Sequence, residues 1–234
     1  MAISVDTVYK TVLLILNKEQ RGYMTPDEFN KIGSQVQREI FEAYFEDLNQ
    51  QLRIPQSDVE YSDRVAITDE KIAEFKTESI ATGTNPFKGP IDLYRLGSIT
   101  YEPNAATYKE IQRVGRAEIY NIRKAPLTAP TTNYPIYLYE DNEALVYPQT
   151  IVDPAHIKIQ YVKKPTDINW AYTTGSLGQL VYDSSNSVNF ELHNSEQAEV
   201  VLKVLLYQGV VIRDPQIVQV AASKVQQEEV NEKS

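Results

Sequence analysis

The sequence predicts an α+β chain in which an N-terminal helical hairpin and a C-terminal helix pair bracket an antiparallel β-rich middle. Three observations predict it. Val5, Val8, Val12, Ile15 and Leu16 recur at helical spacing, and a longer stripe follows at Phe29, Ile32, Val36, Ile40, Phe41, Tyr44, Phe45, Leu48 and Leu52. Short apolar runs at 136–139, 144–147 and 157–161 are separated by turn residues. Helical spacing then returns at Ala198, Val201, Leu202 and Leu205.

The first helix is expected from about Asp6 to Gln20. Gly22 suits the position just past a helix end, where a residue without a Cβ takes up a left-handed conformation cheaply. Thr25 reads as the N-cap of the next helix, Pro26 as its first residue, and Glu28 as the partner that completes a capping box. That second helix ends before Pro55. The wide aromatic stripe Phe41, Tyr44 and Phe45 suits core packing and also a partial subunit contact.

From Gln56 to Gly89 the pattern weakens. Thr68-Asp69-Glu70-Lys71 opens a short helix through Phe75, and 82–86 reads as loop. Residues 91–101 read as extended, with Leu93, Leu96, Ile99 and Tyr101 as core candidates, although Gly97 weakens a strand. A short helix follows over 116–121, and Ala125-Pro126-Leu127-Thr128-Ala129-Pro130 forms a stiff connector.

The strongest β signal is the pair 136–139 and 144–147 around Glu140-Asp141-Asn142-Glu143, because Asp-Asn tolerates the positive φ of a tight hairpin. With 157–161 as a third strand, these make an antiparallel meander with one wet face. Residues 166–189 read as a long loop able to reach another subunit. Asn194 and Gln197 resemble a loose capping box for a helix ending near Gly209, and Asp214-Pro215 begins the last helix. The division expected is a helical part from 1–55 and 190–230, a β-rich part over 90–165, and a frayed tail over 226–234.

Composition narrows the function. The 234-residue chain has a formal net charge of -9 and no cysteine. Thiolate chemistry, disulfides and zinc fingers are therefore excluded, and a general phosphate-binding surface is disfavoured, since nucleic-acid affinity rests on Lys and Arg. The run Val12-Leu13-Leu14-Ile15-Leu16 is far shorter than the ~20 residues of a membrane span, so no membrane partner is expected. His156 and His193 lack ligand or triad spacing, and the phosphate-loop, dinucleotide and nucleophile-elbow motifs do not occur. No catalytic residue, metal or cofactor is expected.

Glu140, Asp141 and Glu143 read chiefly as solvated turn carboxylates, with a cation site or the acid pair of a hydrolase as the rival uses. Arg113, Arg116, Arg123 and Lys124 form a basic patch beside Tyr120, suited to a solvated helix face or an inter-subunit salt-bridge surface and alternatively to single-strand stacking. Sixteen tyrosines outnumber six phenylalanines. Tyrosine buries well against a partner yet tolerates water, so the surplus points to sheet core and subunit contacts, with carbohydrate stacking as the other use.

The corner Gln20-Arg21-Gly22-Tyr23-Met24-Thr25-Pro26-Asp27-Glu28-Phe29-Asn30, together with Gln37-Arg38-Glu39-Ile40-Phe41-Glu42, resembles virion structural proteins of crAss-like and related short-tailed phages. Phe190-Glu191-Leu192-His193 and Arg213-Asp214-Pro215 are similar to the same group, and Tyr147-Pro148 with Tyr161-Val162-Lys163-Lys164-Pro165 resembles the β part of head-to-tail adaptors. The resemblance implies a homo-oligomeric ring of about twelve copies, closed by heterologous contacts, in the neck or tail of a virion assembled in the host bacterial cytoplasm. It implies as partners the portal protein, other ring or hub proteins of the neck and tail, and genome DNA passing through the channel without sequence-specific binding. No local rule explains Arg21 or Tyr23, so both are interface candidates with Phe41, Tyr44, Phe45, Arg113, Arg116 and Tyr120. A fibre-type carbohydrate-binding module and a carboxylate-dependent tail lysin are the alternative functions.

Overall fold

The computed structural model describes residues 2–18, 23–51, 59–104, 107–212 and 215–233. Among them the chain is α+β, with helices at both ends and a β-rich middle, and it divides into two compact units. A helical unit comprises Met1–Glu74 and Pro165–Ser234, and a β unit comprises Phe75–Lys164. The segments 59–74 and 166–189 thus join the helical unit.

In the helical unit, α1 (Val5–Lys18) and α2 (Pro26–Gln51) follow the predicted apolar periods. Val5, Val8, Val12 and Leu16 are buried, whereas Ile15 turns outward. The capping box forms: the Glu28 carboxylate accepts from the Thr25 N–H at 2.9 Å, and the Glu28 N–H donates to the Thr25 hydroxyl at 3.3 Å. Two backbone donors at the helix start are thereby satisfied. Gly22 lies outside the described residues. Helix α3 runs over Val59–Ala73, so Thr68 sits inside a helix and does not open one.

At the C-terminal end, α5 (Gln197–Ile212) packs against α1, α2 and α6 (Pro215–Lys233). Its buried face is Val200, Val204, Leu205 and Gln208, one position out of phase with the expected stripe, and Ala198 faces water. The whole helix is so apolar that its period does not identify the face packed inward. Asn194 does not cap it: His193 caps a 3-10 turn over Asn194–Glu196, its ring Nδ1 accepting from the Ser195 N–H. The tail expected to fray continues as helix to Lys233.

Residues 166–189 are built into this unit. Polar side chains on α2, at helical spacing between its apolar positions, hold the segment like a neighbouring strand. Asn30 accepts from the Trp170 N–H at 2.7 Å, Ser34 from the Ile168 N–H at 3.2 Å, and Gln37 donates to the Thr166 carbonyl at 2.6 Å while accepting from the Glu191 N–H at 2.9 Å. These bonds satisfy a part-buried irregular backbone whose own strand-like pairing is the bridge between Asn169 and Val188. The close fit uses Gly33, where a Cβ would stand 2.4 Å from the Ile168 Cδ1.

The β unit contains a seven-stranded mixed sheet in the order β1-β7-β3-β4-β5-β6-β2. The strands are β1 (Lys76–Ile80), β2 (Phe87–Lys88), β3 (Leu93–Asn104), β4 (Thr107–Arg113), β5 (Ile136–Glu140), β6 (Glu143–Tyr147) and β7 (Ile157–Lys163). Just past β1, Thr82 exchanges backbone hydrogen bonds with Lys88 of β2, at 3.1 and 2.8 Å. The two edges meet there, and the sheet curls into a small barrel. Ala81, Phe87, Ile99, Ile111, Tyr137, Val146, Ile157 and Ile159 fill it. Of the four core candidates on β3, Ile99 is fully buried, while Leu93, Leu96 and Tyr101 pack at its margin.

Two sequence expectations change here. Strands β5 and β6 form the predicted hairpin, with Asp141 at φ 50 and Asn142 at φ 60, but β7 pairs with β1 and β3 and not with β6, so there is no simple meander. Nor is the outer face of β5 and β6 wet. Helix α4 (Arg116–Lys124) lays Ile119 and Ile122 over Ile136, Leu138, Leu145 and Tyr147. The run Ile136-Tyr137-Leu138-Tyr139 is buried on both faces, which is why it does not alternate. Because α4 is the crossover between β4 and β5, these two strands are parallel.

Candidate subunit-interface surfaces

The structure separates the candidate residues into three groups. Arg21 lies outside the described residues. Phe41, Tyr44 and Phe45 are a correction: they are buried inside the helical unit, where the Phe41 and Phe45 rings meet edge to face at 5.2 Å and the Lys71 ammonium stands over Tyr44 at 5.5 Å. Helices α3 and α5 cover that side of α2, so the stripe serves the chain's own core. Tyr23, Arg113, Arg116 and Tyr120 remain at the surface.

Around Tyr23 the helical unit carries an aromatic platform. The Trp170 ring lies 4.5 Å from Tyr9, 5.9 Å from Tyr172 and 5.7 Å from Tyr182, and its indole N–H donates to Asp6 at 3.1 Å. Trp170 is only 4% exposed, a closed aromatic base with no free face. The Tyr9 hydroxyl donates to the Met24 carbonyl at 3.0 Å, and burial, reinforced by a hydrogen bond with Tyr23, raises its pKa far above the ordinary tyrosine value. This tyrosine stays neutral at any working pH.

On that base stands a hairpin of β8 (Tyr172–Thr174) and β9 (Leu180–Tyr182). Its turn is closed by hydrogen bonds between Gly175 and Gln179 and between Gly178 and Gly175, with Gly178 at φ 79. The Leu177 N–H is held by the Gln179 side chain, yet the Leu177 side chain is 91% exposed. Tyr172, Leu180 and Val181 are exposed along the same hairpin. A two-stranded ribbon with an apolar tip gains nothing in water from that exposure, and its rigid aromatic root keeps it from folding back. The sequence signal for this hairpin is Gly175-Ser176-Leu177-Gly178 between two short β-branched and aromatic runs, within the segment whose composition predicts a loop.

In the β unit, the outer side of α4 exposes Tyr120 at 66%. Arg116 pairs with Glu140 at 3.1 Å, and Arg123 lies 4.3 Å from the centre of the Tyr147 ring. Arg113 sits 5.7 Å from the Tyr139 ring. Arg113 ends β4, while Arg116, Arg123 and Lys124 ride on α4. Among the turn carboxylates, Glu140 is engaged by Arg116 and Glu143 by Lys88 at 3.5 Å. His156 bonds the Glu102 carbonyl at 2.8 Å. Among the described residues no group of three or more His, Cys, Asp or Glu is placed to hold a metal ion, and no helix is long and apolar enough to cross a membrane.

No protein-family model matches the chain, and no curated protein matches it.

Proposed function

We propose that this chain is a virion structural protein that forms a ring in the neck or tail of a short-tailed phage, joining the portal to downstream components around the DNA channel. The observation that carries the reading is the β8–β9 hairpin, an apolar-tipped arm fixed on a closed aromatic base. Such an arm suits a heterologous contact in which each copy reaches the next, the arrangement that closes rings. Tyr23 and Tyr120 add amphipathic contact surface of the kind found at interfaces. The net charge of -9 is compatible with DNA that must slide past without sticking.

Native mass spectrometry of the purified chain, alone and with the portal protein, tests the reading. A closed oligomer, or a ring nucleated on the portal and lost in Leu177→Ser, is expected. A chain that stays monomeric and also fails to bind the portal overturns it.

A further inference from the structure

A cleft in the β unit has the properties of a ligand site. The ladder between β3 and β4 reaches the pair Ile99–Ile111, and among the described residues no further pair joins these strands. On its other edge β3 bulges, with Gly97 and Ser98 together facing Gln160 of β7, between the pairs Leu96–Tyr161 and Ile99–Ile159. A Cβ on residue 97 would come within 2.9 Å of the Gln160 carbonyl oxygen, so glycine permits this approach to β7. The Ser98 hydroxyl donates to the Gln160 side chain at 2.9 Å and fastens the bulge. The backbone of β3 therefore leans toward β7 just where β4 turns to pair with β5.

The resulting opening is a cavity of about 390 Å³ lined by Gly97, Ser98, Glu110, Gln112, Arg113 and Tyr137, among others, within the range of small-ligand sites. Two lining groups make no hydrogen bond among the described residues, although Arg113 lies over the Tyr139 ring. Tyr137 is only 2% exposed, yet its hydroxyl makes no hydrogen bond among the described residues. Arg113 has no carboxylate partner among them either, in contrast to Arg116 and Lys158, which are both paired. A guanidinium and a hydroxyl donor that line one cleft match a carboxylate. The split between two strands matches an extended backbone, which recognises a strand edge by its own N–H and C=O groups.

We infer that the cleft between β3 and β4 is a strand-acceptor site that takes an extended peptide segment through one acidic side chain, held by Arg113 and Tyr137. In the cleft itself Glu110 stands against Arg113, and it is the charge balance of the unit that favours this occupant: residues 75–164 hold 11 Lys and Arg against 9 Asp and Glu, in a chain whose remaining residues hold 12 against 23. The inference is independent of ring formation.

Titration of the full chain with acetyl-Val-Glu-Val-amide, followed by amide NMR up to about 10 mM, is the test. The Glu peptide is expected to shift the amides of Gly97, Ser98, Gln112 and Arg113. It should bind at least about fivefold more tightly than acetyl-Val-Gln-Val-amide or sodium acetate, and Arg113→Gln and Tyr137→Phe should each weaken it roughly tenfold, as loss of a hydrogen bond to a charged group does. Lys88→Gln, on a different strand, should leave binding unchanged and so excludes general charge attraction. Absence of shifts, equal binding of the Gln peptide or of acetate, unchanged affinity in both cleft variants with otherwise superimposable spectra, or equal weakening by Lys88→Gln would each overturn the assignment.

Discussion

Glu199→Gln should flatten the dependence of the helical unit's stability on pH. Glu199 on α5 lies beside Glu196, which is 3% exposed, and the two carboxyls share a hydrogen bond. Lys71 of α3 binds Glu196 at 2.7 Å, Lys203 binds Glu199 at 2.9 Å, and Ser195 donates to Glu196 at 3.2 Å. Burial, with a smaller contribution from Glu196 and partly offset by Lys203, pushes Glu199 up to about 7 from its usual 4.5. At Glu196, burial acts upward but the Lys71 hydrogen bond and charge outweigh it, and the net direction is down. The proton of the pair thus resides on Glu199.

A carboxyl whose folded pKa is raised favours the folded state most below its unfolded value. Its contribution is fully present below about 4.5 and is lost as pH rises through about 7. At 1.36 kcal/mol for each pH unit the full loss is about 3 kcal/mol, of which roughly 2.5 kcal/mol falls between pH 5 and pH 8. Glutamine keeps an oxygen for Lys203 and a donor for Glu196 but does not ionise, so its difference from wild type should grow in the variant's favour by about 1–2.5 kcal/mol from pH 5 to pH 8. Urea unfolding followed by fluorescence measures this directly, because the single tryptophan, Trp170, belongs to the same unit. A difference that is equal at both pH values would refute the shared-proton arrangement.

Three further outcomes are expected. Thr25→Ala removes half of the capping box of α2 and should cost about 1 kcal/mol, seen as a lower urea midpoint with an unchanged slope. Trp170→Ala should cost roughly 3–5 kcal/mol and loosen the β8–β9 root, so limited chymotrypsin digestion should cut at Tyr172 or Tyr182 before it cuts the helices. Gly33→Ala should destabilise the helical unit by about 1–3 kcal/mol through its 2.4 Å approach to Ile168, and Ile168→Val, which deletes the offending methyl, should restore part of the loss in a non-additive double-mutant cycle.

Local chemistry made several elements legible. Thr25, Pro26 and Glu28 specify a helix start whose partners lie within three residues, and the structure forms the same bonds. Asp141 and Asn142 specify a tight turn by their tolerance of positive φ. The missed elements have a common cause. Strand β1, the start of α3 and the β8–β9 hairpin carry weak periods, and their partners lie far along the chain. The stripe Phe41, Tyr44 and Phe45 showed that a surface would be buried, but only the packing of α3 and α5 assigned it to the chain's own core.

By itself the sequence determined the α+β class, the order of helix and strand, the caps and the β5–β6 turn, because each is fixed by side chains acting on backbone a few residues away. Only the tertiary structure decided that β7 inserts between β1 and β3, that the Thr82–Lys88 bridge closes the sheet, and that Asn30, Ser34 and Gln37 hold the segment from Thr166 to Trp170. It alone brought Arg113 and Tyr137 to one cleft at the bulge beside Gly97. Those arrangements depend on which distant backbone edges find partners, and a strand's alternation records which face is buried without recording which neighbour it will meet.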